Sequence, residues 1–371
     1  MSAILTCMVT LSINLSIEKQ MNRLLDVMTD DKGLIQHCDG PIPLKRNENP
    51  YPYSIDDNAR ALIVLARASQ LLNFEDGGKH ITYLNFIERN RKDNGLVYNY
   101  QDLEGNPIND EDDKILDCYG RTMWAWAKTL DSNFLPGAKS RANKNFLDGL
   151  KAVDALNTSH SEALSLIALS KYLLSGYNSN QDEIKKVKNS TQFLAEKLEQ
   201  RFYENSDKNW DWFDDEVSYC AARLPHSMLL AGKVLGDEGF IGIAKKSLDF
   251  ISNETMFYGD FSPIGNNGWY KRGEHKPMFD QQTIEAGSMT EVYLDYQEIL
   301  KDEYYGKILY SPFKWFLGKN IKQEPLLSKE GGVYDAITKD GINYNQGAES
   351  LLSYLMAATA IIGYENRTKK N

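Results

Sequence analysis

Residues 54–72 read SIDDNARALIVLARASQLL: a short polar start with two consecutive carboxylates, then apolar side chains around a whole helix with few charges. A surface helix carries one apolar stripe, whereas a helix that is apolar all round is enclosed by others. The same design returns five more times, as DCYGRTMWAWAKTL (117–130), SHSEALSLIALSKYLL (159–174), FDDEVSYCAARLPHSMLLAGKVL (213–235), FDQQTIEAGSMTEVYLDYQEIL (279–300) and NQGAESLLSYLMAATAIIG (345–363). The starts fall about 40 to 65 residues apart, the length of a helix pair with its connections.

Amphipathic, more charged helices are predicted between them, over 14–28, 78–92, 138–154, 182–202, 238–252 and 304–320, as expected for a layer facing solvent. Alternating, strand-like runs are nearly absent. Six enclosed helices alternating with six amphipathic ones predict an all-α chain closed into a double ring, an (α/α)6 toroid. Residues 1–371 are read as one domain, with 1–13 a flexible N-terminal extension. An open superhelix competes, but its repeats are even in length and its loops short. Here the connectors 93–116, 203–213, 254–279 and 322–345 are long and rich in Gly, Asn, Asp and aromatics, and long loops at one recurring position serve a site.

Composition narrows the function. The 371 residues are 42% hydrophobic and 25% charged, enough for a large core and unlike disordered, collagenous or small disulfide-bonded chains. With 42 basic against 52 acidic side chains the formal charge is −10, the wrong sign for following a phosphate backbone, so no nucleic-acid partner is expected. The four cysteines, at 7, 38, 118 and 220, are scattered without metal-ligand spacing; no metal site and no cofactor are predicted. The start, MSAILTCMVTLSIN, lacks the basic residues of a signal sequence, and no later stretch matches the ~18 apolar residues of a membrane span. A cytoplasmic protein is expected, with secretion left open and the oligomeric state unspecified.

Parallel inner helices would open all six N-termini on one end. The residues found there are polar and mostly acidic: Asp56 and Asp57, Asp117, His160 and Glu162, Asp214 to Glu216, Asp280 to Gln282, and Gln346 with Glu349. Capping accounts for many such carboxylates, since they accept from free backbone N–H groups and suit the helix dipole. Glu285 and Glu349 are read as lying about a turn inside an apolar helix, where a carboxylate needs a partner or a purpose. Arg60 and Arg121, each three or four residues after an inner-helix aspartate, could be such partners in structural ion pairs.

The loop segments NWDWFDD (209–215), FSPIGNNGWYKRGEHKPMFDQQ (261–282) and EGGVYDAITKDGINYNQGAES (330–350) set Trp, Tyr, Gly and amides beside carboxylates. Stacking on pyranose faces together with polar contacts is what sugar recognition requires. Glycoside cleavage adds two carboxyl groups, one protonated and one ionised, roughly 6.5 to 9.5 Å apart in an inverting enzyme. Asp57 and Asp280 are the first candidates, with Glu349 in reserve for either role. Asp56, Asp117, Arg121, Trp212, Asp215, Trp269, Tyr270, Gln281, Glu285, Tyr334 and Gln346 are the candidate sugar-binding residues; Trp212, with Trp210, has core filling as its equal alternative.

The runs MTDDKGLIQH (28–37), YSIDDNARALI (53–63), DCYGRTMWA (117–125), WFDDEVSYCAARLPHSMLLAG (212–232), GNNGWYKRGEHKPMFDQQTIEA (265–286) and GGVYDAITKDGINYNQGAESLLSYL (331–355) resemble a family of six-hairpin-glycosidase-like proteins. Its members occur fused to, or encoded beside, glycosyltransferases and near mannoside phosphorylases. The resemblance spans about residues 28–363 and implies an (α/α)6 toroid with a carbohydrate-related role, without a catalytic residue set. Thr283 stands where the family pattern leads one to expect Pro, which bears on a local helix start. No Rossmann-like strand and Gly-rich turn is present, so a nucleotide-sugar transferase domain is not predicted.

The leading expectation is a glycoside hydrolase acting on an oligosaccharide or polysaccharide, mannose-containing among the candidates, by an inverting two-carboxylate mechanism. The alternatives are a carbohydrate-binding accessory protein, a glycoside phosphorylase using Lys271, Arg272 and His275 for phosphate, and a sugar epimerase, which would need paired histidines in the cavity. A lyase would favour a basic cleft, and DDNAR is a poor aspartate-rich metal motif for a prenyl enzyme.

Overall fold

The computed structural model describes residues 9, 13, 16–45, 51–72, 74–108, 116–177 and 180–369. Of the predicted extension 1–13, only Val9 and Ile13 fall among them, both buried; the rest lies outside the described residues.

In chain order the helices are α1 (16–27, ending in a π-helical turn, Arg23–Val27), α2 (Ile55–Leu71), α3 (Lys79–Arg89) and α4 (Asp117–Leu130). Next come α5 (Pro136–Gly149), prolonged by the 3-10 turn Leu150–Ala155, α6 (Ser159–Leu174), α7 (Gln181–Asn205) and α8 (Arg223–Leu235). The chain closes with α9 (Glu238–Thr255), α10 (Thr283–Leu300), the short α11 (Glu303–Ile308) and α12 (Ser311–Phe316), and α13 (Ala348–Thr368). The six apolar segments are α2, α4, α6, α8, α10 and α13. Each packs on the next, and α13 returns to α2, so the inner ring is closed. Outer helices α3, α5, α7 and α9 each back one inner helix, and α12 backs α10 and α13. The chain is an all-α (α/α)6 toroid.

Contacts between helix termini show that the inner helices run parallel. At one mouth, starts meet starts: Arg121 of α4 donates to Asp56 of α2 at 2.8 Å, and Thr283 of α10 to Ser350 of α13 at 3.3 Å. At the other mouth, later turns meet later turns. Arg67 of α2 pairs with Glu291 of α10, and Lys171 of α6 pairs with Asp295 of α10 at 2.8 Å. Two glycines let the ring close tightly. A Cβ on Gly120 would lie 2.6 Å from that of Leu164 on α6, and one on Gly287 would lie 2.7 Å from the Ser353 carbonyl oxygen on α13.

Three helices depart from the periodicity. Helix α8 begins at Arg223 rather than 213, because Glu216–Val217 pairs as a strand with Tyr270–Lys271 and Cys220 adopts φ +56°. Helix α10 begins at Thr283, since Gln281–Gln282 pairs with Ala336–Ile337; the helix thus starts at the very residue where proline was expected. The predicted helix 304–320 is divided into α11 and α12, with Pro312 in the first turn of α12, where a missing N–H does no harm but continuation from the preceding turn is blocked. The strands are all two residues long and brace the loops over one mouth.

Candidate active site

Strand–loop segments and the starts of α2 and α13 surround a polar cavity of about 460 Å³ at the N-terminal mouth of the inner ring. Asp56 and Asp57 enter from the first turn of α2, Glu349 from the first turn of α13, and Asp280 from the segment leading into α10. Ser54 caps α2, accepting from the Asp57 amide at 3.2 Å, and its hydroxyl donates to the Asp57 carboxylate at 2.8 Å. Asp335 sets the start of α13, accepting from the Gly347 amide (2.9 Å), the Asn345 side chain (2.6 Å) and the Ser350 hydroxyl (2.6 Å).

Beneath the cavity floor lies a buried charge network. The Arg60 guanidinium reaches Asp57 at 3.0 Å, Glu349 at 3.2 Å and the Tyr219 hydroxyl at 2.6 Å, and that hydroxyl donates to the Glu349 carboxylate. Arg121 stacks over the Tyr219 ring, 5.5 Å from its centre, while holding Asp56. Burial pushes the Asp57 carboxyl up to about 6, against the pull of Arg60. Burial likewise raises Glu285 to about 7, although it accepts from the Cys220 amide at 2.6 Å. Asp280 differs: among the described residues its carboxylate has no hydrogen-bond or ion-pair partner, and it faces the cavity.

The structure therefore brings Asp56, Asp57, Asp280 and Glu349 to one cavity, with Arg121 and Glu285 in the layer below. Asp117 sits in the first turn of α4, within the field of Arg121. The other candidates lie elsewhere. Trp212 is in the core against Phe213 and Phe250. Asp215 is exposed and paired with Arg272 at 3.2 Å. Tyr270 packs edge-on to Trp210, Trp269 is half-buried at φ +44°, and Tyr334 packs against Tyr344. Gln281 is buried between Ser262 and Trp315, and Gln346 accepts from Ser328; Gln282, one residue on from Gln281, lines the cavity instead. Glu162 turns outward to Arg201 and Lys197 of α7. Sequence reasoning had not singled out Asp335, His37, Asn266 or Tyr100 as lining residues. Asp335 and Asn266 stand within loop runs marked as polar and glycine-rich, Tyr100 lies in the long connector 93–116 and His37 ends the run MTDDKGLIQH, but nothing local singles out these four residues within their segments.

No protein-family model matches the chain, and no curated protein matches it by sequence. Solved structures match across nearly its whole length. A sugar epimerase from a ruminal bacterium superposes with a TM-score of 0.72 at 14% identity, covering 98% of this chain and 99% of its own. The cellobiose 2-epimerase of Bacillus thermoamylovorans gives 0.69 at 12%, covering 98% and 100%. An inactive variant of an α-1,6-mannanase from Salegentibacter, in complex with α-1,6-mannotetrose, gives 0.62 at 13%, covering 94% and 98%. The chain has the six-hairpin-glycosidase fold. Sugar-active enzymes of more than one reaction class share this six-hairpin toroid. Among the described residues, no helix is long and apolar enough to cross a membrane.

Proposed function

We propose that the N-terminal mouth of this six-hairpin toroid hydrolyses the glycosidic bond of a neutral oligosaccharide. The observation that carries the reading is the pairing, in one cavity, of a buried carboxyl raised to about 6 (Asp57) with a cavity-facing carboxylate that nothing in the described protein engages (Asp280). A general acid must hold a proton near neutral pH, and a base must have lone pairs free for water. In this assignment Asp57 protonates the departing oxygen and Asp280 takes a proton from the attacking water. Glu349, fixed by Arg60 and Tyr219, binds sugar hydroxyls with its remaining oxygen. Helix α13 stands between α2 and α10 in the ring, which favours the wider carboxyl separation of an inverting mechanism.

Two kinds of neighbour also bear on the reaction class. The mannanase variant described as inactive carries alanine at two consecutive aspartates; here Asp56–Asp57 is a consecutive pair lining the cavity. The epimerases are matched in fold, but His37 is the one histidine among the described lining residues, and burial lowers its pKa. Lys271, Arg272 and His275, the residues a phosphorylase would use, do not line the cavity.

Incubation with a panel of manno- and gluco-oligosaccharides, followed by proton NMR of the newly released reducing end, tests the proposal. Cleavage without added phosphate, with inversion at the anomeric carbon, is expected. Epimerised but uncleaved sugar, or turnover only with phosphate, would overturn it.

A further inference from the structure

The cavity contains little for a sugar ring to stack on: Tyr100 is the one aromatic among its described lining residues. Aromatic and apolar side chains are instead exposed next door. A groove of about 570 Å³ runs between the hairpin that follows α9 (Met256–Phe257 paired with Asp260–Phe261) and the loop after α12. Phe257, Met278 and Ile321 form its apolar wall, with Asp260 and Gln323 as polar neighbours. That volume lies within the roughly 300–1,000 Å³ of small-molecule sites.

Two observations connect the groove to the cavity. The segment 278–282 serves both, since Met278 lines the groove while Asp280 and Gln282 line the cavity. Gln281, between them, donates at 2.9 Å to Ser262, itself a groove residue. The hairpin's tip adds a third feature. Its two turn residues, Tyr258 and Gly259, have φ +51° and +89°, a turn in which asparagine is the favoured first residue. A bulky residue there is a steric outlier, and its ring is wholly in solvent, at 109% relative exposure. Lys276 covers one side of Phe257, with its ammonium 4.4 Å from the ring centre.

We propose that this groove, with Tyr258 at the tip of the hairpin that forms one side of it, holds the outer rings of an oligosaccharide whose reacting unit occupies the cavity. The inference rests on the reading of the cavity as a sugar site and extends it: the substrate class is a chain rather than a disaccharide. Apolar wall and polar edge match a pyranose, which has apolar faces and a rim of hydroxyls.

Calorimetric titration of the Asp280→Asn protein with manno- and gluco-oligosaccharides of two to six units tests it. The Tyr258→Asn and Phe257→Ala changes are added singly; asparagine suits the turn, so the hairpin is retained. Affinity should rise with chain length, and each added change should weaken the longest ligands about 5- to 10-fold while leaving the disaccharide unaffected. Length-independent affinity, an equal loss at every length, no loss for the longest chains, or no binding by any member would overturn the inference. So would an alkyl glycoside binding more tightly than the oligosaccharides, which would assign the groove to an apolar tail. Length-dependent binding without cleavage by the unsubstituted protein would sink the hydrolase reading and leave this one standing; cleavage with length-independent affinity would do the reverse.

Discussion

Arg60 is nearly solvent-free, and two carboxylates and a phenol converge on it. Removing one partner of a buried pair leaves the other charge uncompensated, at a cost of about 3–5 kcal/mol. Arg60→Met should therefore destabilise the protein by roughly that amount in urea unfolding, whereas Asp280→Asn, which breaks no bond within the described protein, should leave the midpoint unchanged. Glu285 gives a pH-dependent prediction. Folding raises its pKa from 4.5 to about 7, so between those values the folded state keeps a proton that the unfolded chain has lost. The associated stability is full below about 4.5 and lost as pH rises through about 7. Glu285→Gln cannot ionise; its stability relative to wild type should improve by roughly 3 kcal/mol between pH 4.5 and pH 8. A relative stability independent of pH would contradict the assignment. If Asp57 is the acid, kcat/KM should fall as pH rises through about 6, where that proton is lost.

Sequence made the inner helices legible because full burial leaves a long apolar signature, and α2, α4 and α6 start within a residue or so of where their polar clusters place them. It failed at α8 and α10 because an acidic cluster before an apolar run also describes a loop. Asp214 accepts from Ser159, Asp215 pairs with Arg272 and Glu216 lies in a strand, none of which local spacing encodes. Arg60 does pair with the aspartate three residues earlier, but Arg121 reaches to Asp56 on the neighbouring helix α2, a contact visible only once the helices are assembled. Trp212 and Tyr270, candidates for stacking on a sugar, pack against Phe250 and Trp210, contacts that local spacing does not encode; for Trp212 the structure takes the equal alternative, core filling. At this scale the close helix contacts are testable. Gly120→Ala or Gly287→Ala forces a methyl to within 2.6–2.7 Å of the neighbouring helix. Each should lower stability by about 1–3 kcal/mol in thermal or urea unfolding, while Gly137→Ala, with open space around it, should not.

The closed ring divides its chemistry between two mouths. At the far mouth, Glu291 is held by Arg67 and Arg223, and Asp295 by Lys171 and His226, so the carboxylates there are pulled well down by the cations beside them. Arg67 and Lys171 lie near the C-terminal ends of α2 and α6, where a cation also suits the dipole, and that end reads as scaffold. At the near mouth the balance reverses: helix starts, the unengaged Asp280 and a carboxyl raised by burial, Asp57, meet at one polar cavity, with the raised Glu285 in the layer below. The account therefore depends on Asp280, the carboxylate that the fold presents and does not use. The most direct measurement is the turnover number of Asp280→Asn on the best-cleaved oligosaccharide, set against its thermal midpoint and ligand affinity. The account predicts a loss of about 10²–10⁴-fold or more in turnover, with melting and binding unchanged. Turnover within a few-fold of the unsubstituted protein would contradict it.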